Sequence, residues 1–133
     1  MIKEKINPDN VAKPAAPYTN VVKVSQSSEM IYLSGISANG EGGIVGKGDI
    51  LKQTEQVAKN IIKTLEAVGA GPENIVMTTT YVISDYLFEF LKVGGANVLF
   101  SALDNPADTL VGVAELAGRP GGALIEVNVI AQK

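Results

Sequence analysis

The sequence predicts an α+β layer sandwich, with two long helices covering one face of a mixed β-sheet. Three observations lead there. An apolar stripe recurs at helical spacing between Ile50 and Val68. The run Ile75–Ile83 is β-branched almost throughout, which suits a strand. The last quarter, Pro106 to Ala131, reads as two strands, Thr109–Leu116 and Ala123–Ala131, joined by the turn Ala117-Gly118-Arg119-Pro120-Gly121-Gly122. The 133 residues make one domain, 1–133, with no internal repeat or linker.

Each element has its own local reason. Ile2–Ile6 alternates apolar and charged residues, as a short edge strand does. Asn7-Pro8-Asp9-Asn10 turns the chain, and the proline-bearing segment Lys13 to Pro17 is stiff and extended. It delivers Tyr18, whose ring is expected to cover the core edge. Val21–Val24 and Met30–Ser34 are strands, with the polar run Ser25–Glu29 as their hairpin loop. Ser34-Gly35 ends the second strand and exposes a hydroxyl beside an unhindered N–H. The glycine-rich stretch Ser37 to Gly48 is a loop. It lacks the lysine and spacing of a phosphate cradle.

Asp49 is placed to cap the first helix, and Gly69 with Gly71-Pro72 to stop it. In the strand that follows, Thr78, Thr80 and Val82 share one face. Ser84 or Asp85 caps a second helix, Tyr86 to Leu99, which Gly94-Gly95 should kink. Leu103-Asp104-Asn105-Pro106 leads into the closing hairpin.

Within that hairpin, Val111, Val113, Ile125, Val127, Val129 and Ala131 fall in the odd set, an apolar face for helices. The even set, Asp108, Leu110, Gly112, Ala114, Glu126 and Asn128, is small or polar. Open water would favour Lys, Glu and Thr there. The expectation is a second protein surface closing on it, with Thr78 and Thr80 on the same face and a site at its edge. Low charge and 14 glycines also point to an oligomer, closed and cyclic in form.

Composition excludes several chemistries. The chain has no Cys and no His, so thiolate and imidazole chemistry and an ordinary zinc site are absent, and no metal is expected. Any catalysis must use carboxylates, hydroxyls, Lys, backbone N–H groups or water. A net charge of −3, with arginine only at Arg119, argues against a nucleic-acid partner. No apolar run is long enough to span a bilayer, and the N-terminus does not read as a signal peptide, so no membrane partner and a cytoplasmic location are expected.

Taken in order, Pro14-Ala15-Ala16-Pro17-Tyr18, Leu33-Ser34-Gly35, Gln53, Asn60-Ile61, Thr79-Tyr81-Val82, Asn105-Pro106-Ala107, Val113-Ala114-Glu115-Leu116 and Ile125-Glu126-Val127 resemble the YjgF/Rid family over nearly the whole chain. The resemblance implies a chorismate-mutase-like α+β fold with a six-stranded sheet. It implies a homotrimer around a central barrel, with small-molecule sites in the clefts between subunits. Enzymes of the family hydrolyse reactive 2-imino acids to 2-keto acids and ammonia, without a cofactor. By resemblance, Tyr18 closes the pocket, Ser34 and Gly35 contact the ligand, and Glu126 positions the attacking water. Leu110 joins the ligand-binding set. Active imine deaminases carry an arginine where this chain has Asp108, in Pro106-Ala107-Asp108.

That exchange reverses the sign of the site. A guanidinium holds an anionic acid through two charge-assisted bonds. An aspartate repels it, by about 3 kcal/mol at ~5 Å and an effective dielectric of ~20. Three functions follow as expectations. One is a deaminase for a neutral or cationic imine-like substrate, with Asp108 and Glu126 as a close catalytic pair. The second is a trimeric binder without catalysis. The third and weakest is an endoribonuclease or translation inhibitor.

Overall fold

The longest helix and the longest strand stand where their side chains require. The computed structural model describes residues 1–133. Its strands are β1 (Ile2–Ile6), β2 (Val21–Ser25), β3 (Met30–Ile36), β4 (Asn39–Gly40), β5 (Gly43–Ile44), β6 (Ile75–Ile83), β7 (Ala107–Val113) and β8 (Ile125–Gln132). Its helices are α1 (Ile50–Glu66), α2 (Ser84–Lys92) and α3 (Gly95–Ala102). The α+β class holds, but the main sheet has four strands in the order β3-β8-β6-β7, and the other four strands form two separate ribbons, β1-β2 and β4-β5.

α1 begins as expected: the Asp49 carboxylate accepts the Lys52 N–H at 3.0 Å. Its buried stripe, Ile50, Val57, Ala58, Ile61 and Leu65, packs on the sheet. Gln53 is also wholly buried. Its Nε2 donates to the carbonyls of Gly46 (3.1 Å) and Gly122 (2.9 Å), and its Oε1 accepts the Leu124 N–H at 2.9 Å. One side chain thus fastens the helix to two loops and to the approach of β8. Past the helix, Gly69 takes the left-handed conformation, φ 71°, that turns the chain back.

The second helix is two helices. Gly94, at φ 79°, breaks the rod between α2 and α3. Phe90 and Phe100, one from each half, are both buried in the core. Neither Ser84 nor Asp85 caps α2: the N-cap is Ile83, and the Ser84 hydroxyl donates to the Val113 carbonyl at 3.0 Å.

The closing hairpin does not form. β6 lies between its two intended partners, parallel to β7 and antiparallel to β8. β6 is buried at both ends and along one face, so a central place hides it best, and residues 114–124 are long enough to cross over it. Nor do β2 and β3 form a hairpin. β2 pairs with β1, and β3 pairs with β8.

This order reassigns the faces. Thr78, Thr80 and Val82 register with Val129, Val127 and Ile125 on one side and with Asp108, Leu110 and Gly112 on the other. All nine therefore point toward the helices. The odd residues of β8 share a face with the even residues of β7, contrary to the odd-with-odd reading. Gly112 is small because α2 is close: a Cβ there would lie 3.1 Å from Leu87 Cδ2. The uncovered face carries Tyr32, Met77, Thr79, Tyr81, Glu126, Asn128 and Val111, and Tyr32 is 69% exposed there. No helix is long and apolar enough to cross a membrane.

Candidate functional site

The segment Pro14–Thr19 has no regular structure and is held from outside. The Thr19 N–H donates to the Pro106 carbonyl at 3.0 Å, and its hydroxyl to the Asn105 carbonyl at 2.6 Å. Asn105 Nδ2 returns a bond to the Pro17 carbonyl at 2.9 Å. Asp104 and Asn105 form the turn before β7 at φ 62° and 53°, a conformation their short polar side chains tolerate. Asp104 is clasped by Lys3 (2.8 Å) and Lys5 (2.7 Å), which ties the β1-β2 ribbon to the same turn. Burial alone would raise the Asp104 pKa, but the two lysines outweigh it and hold it below the ordinary value.

These ties set Tyr18 edge-on to Phe100, with ring centres 6.1 Å apart. Between them and β7 opens a pocket of about 420 Å³, lined by Ala15, Ala16, Tyr18, Leu91, Ala96, Phe100, Asp108, Thr109 and Leu110. Three of the expected site residues, Tyr18, Asp108 and Leu110, meet here.

Asp108 is held from β6. The hydroxyls of Thr78 and Thr80 both donate to its Oδ1, at 2.6 and 2.8 Å. The parallel register makes this possible, since Thr78 lies opposite Asp108 and Thr80 is two residues on. Both threonines are fully buried. Burial pushes the Asp108 carboxyl above its ordinary pKa, against the two hydroxyls, which favour the ionised form. No lysine or arginine of the chain pairs with it.

Glu126 stands elsewhere. It is on the opposite face of the sheet, in register with Tyr81, whereas Asp108 is in register with Thr78. The two carboxylates are therefore not the close pair expected of one chain. Glu126 lies over Gly35, at the point where the β3–β8 register shifts. A Cβ on Gly35 would fall 2.7 Å from Glu126 Cδ, so a larger residue there would push the carboxylate from this position. The nearest hydroxyl is Ser37, which donates to Glu126 Oε1 over a long 3.5 Å. Ser34 is exposed in the same irregular stretch. Arg119 forms no ion pair with Asp108; it lies beside Glu115 (4.0 Å) and 6.0 Å from the centre of the Tyr86 ring.

Residue-by-residue reading overlooked Ser37 as the hydroxyl beside Glu126. The two-residue spacing of Thr78 and Thr80 does put both hydroxyls on one face, where they meet Asp108.

Residues 9–133 match the family model described as Endoribonuclease L-PSP. A RutC family protein of Pyrococcus abyssi is 34% identical over 134 residues, spanning 100% of this chain and 99% of the relative. Reactive Intermediate Deaminase A, chloroplastic, of Arabidopsis thaliana is 30% identical over 130 residues, spanning 97% of this chain and 65% of the relative. Among solved structures, the Rid-family protein YyfB of Yersinia pestis superposes with a TM-score of 0.82 at 26% identity, over 100% of both chains.

Proposed function

This chain belongs to the endoribonuclease L-PSP family, the YjgF/Rid proteins, and from that premise we propose that it binds a small imine- or enamine-like metabolite and deaminates it by hydrolysis in the cytoplasm. The observation that carries the reading is Asp108 on the wall of the Tyr18 pocket, where the family resemblance calls for a guanidinium. A carboxylate there disfavours a simple anionic 2-imino acid and favours a neutral or cationic substrate. Glu126 would take a proton from a water attacking the imine carbon. The C=N bond becomes C=O, and the nitrogen leaves as ammonia. No cofactor is needed for that step.

Asp108 and Glu126 lie on opposite faces of one sheet, so a site using both must draw them from different copies of the chain. A homotrimer with clefts between subunits would do so. The exposed apolar residues Met30, Tyr32 and Met77 of the uncovered face support self-association. The same separation favours a second reading, a trimeric binder without catalysis, should the copies fail to bring the two carboxylates together.

The test is ammonia release from imines made in situ, one with a carboxylate (2-iminobutanoate) and one without. The proposal expects turnover of the carboxylate-free imine, lost in Glu126→Ala, and little turnover of 2-iminobutanoate. Brisk hydrolysis of 2-iminobutanoate would overturn the substrate assignment. No hydrolysis of either, with a trimer in sedimentation, would favour the binder.

A further inference from the structure

We propose that the pocket between Tyr18, Phe100 and Asp108 is a binding site for a primary ammonium group carrying an aryl or alkyl tail, with Asp108 Oδ2 as the anchor. This deepens the reading above and rests on it for Asp108 as a ligand-facing residue. It does not depend on turnover.

The argument starts from an unusual carboxylate. Asp108 is partly buried and lacks a cationic partner in the chain, although such groups are normally paired. Its two oxygens are not equivalent. Oδ1 is saturated by the Thr78 and Thr80 hydroxyls. Oδ2 accepts no hydrogen bond from the chain, yet it is not among the atoms sealed from solvent. Two buried threonines thus fix the carboxylate with one oxygen turned to a reachable space.

That space is mostly apolar. Leu91, Ala96, Phe100 and Leu110 supply its walls, and its volume of about 420 Å³ sits in the ~300–1,000 Å³ range of small-molecule pockets. An ammonium donates a charge-assisted bond to Oδ2. The tail then covers the apolar wall. An acid meets repulsion at the same point, and a neutral alcohol forfeits the charge assistance. Thr78 and Thr80 act as positioning residues, because they orient the carboxylate without reaching the ligand space.

Calorimetry on the full chain separates these cases with three probes of one shape: 3-phenylpropylamine, 3-phenylpropanol and 3-phenylpropanoate. The amine should bind at least tenfold more tightly than the alcohol, and the acid should not bind. Asp108→Asn should erase the amine's advantage over the alcohol. The paired change Thr78→Val with Thr80→Val should reduce that advantage while leaving alcohol binding unchanged, which general loosening of the pocket would not do. Leu91 is 53% exposed at the rim, so Leu91→Lys should fold normally and weaken the amine selectively. Equal binding of amine and acid, undiminished amine binding in Asp108→Asn, or no amine binding at ~10 mM would each overturn the proposal. The last result is expected if a side chain of a second copy already pairs with Asp108. A protein that deaminates imines but fails these titrations refutes this inference alone, and one that binds the amine without releasing ammonia refutes only the proposed hydrolysis.

Discussion

Replacing Gln53 with leucine should lower the melting temperature by roughly 10 °C, and the size of the effect follows from three hydrogen bonds. Leucine keeps most of the volume but has no donor or acceptor. The Leu124 N–H then loses its partner in a residue only 1% exposed, where water cannot replace it. Stranding such a group costs about 1–3 kcal/mol. The carbonyls of Gly46 and Gly122 are half-exposed and recover partly through water, so each loses about 0.5 kcal/mol.

The net loss is about 3 kcal/mol from a total stability of ~5–15 kcal/mol. At ~2.1 cal/mol/K per residue, 133 residues unfold with an entropy of about 0.28 kcal/mol/K, which converts that loss to the stated shift. Thermal denaturation followed by circular dichroism reads it, with Gln56→Leu as control. Gln56 donates only to Asn60 on the same helix and should shift melting by about 2 °C or less. Hydrogen exchange at the Leu124 amide should accelerate in Gln53→Leu and not in the control. A shift below about 3 °C, or equal shifts in both variants, would refute the idea that Gln53 fastens the two loops to the helix.

Gly94 and Gly95 should respond differently to alanine. At Gly94 an added methyl group would have no neighbour within 4 Å, so the cost is the left-handed backbone alone, about 1–2 kcal/mol. At Gly95 the methyl would lie 2.9 Å from the Phe90 carbonyl and against its ring, so denaturant titration should show a larger loss. Asp104 has a lowered pKa in the fold, so its contribution is present above the unfolded value of about 3.9 and disappears as pH falls through the folded one. The stability gap between wild type and Asp104→Asn should therefore close on acidification; a gap unchanged between pH 7 and pH 3 would contradict the lysine clasp. Asp108 has the opposite sign. Its raised pKa makes its ionisation a cost that grows as pH rises from about 4, so Asp108→Asn should gain stability relative to wild type between acid and neutral pH. Melting curves at both ends of that range check it.

Local patterns carried much of the fold because their causes are local. The Asp49 cap, the α1 stripe, the Gly69 stop and the β6 strand all depend on residues within a few positions of one another. The same holds for the break at Gly94, although it separates two helices where a kinked one was expected. Tyr18, Asp108 and Leu110 could be singled out in the sequence, and they do line one pocket.

Strand order could not be read this way. Thr109–Leu116 and Ala123–Ala131 look like a hairpin because they are adjacent in the chain, yet β6, buried at both ends and along one face, lies between them. Once β6 intervenes, the face assignments of β7 change, and Asp108 moves to the helix side while Glu126 stays on the other. Sequence alone determined where the main helices and strands lie and which residues are candidates for chemistry, since side-chain period and capping act over a few residues. Only the tertiary structure decided which of those residues share a face. That depends on register between strands distant in the chain, and a one-residue offset exchanges one face of a sheet for the other.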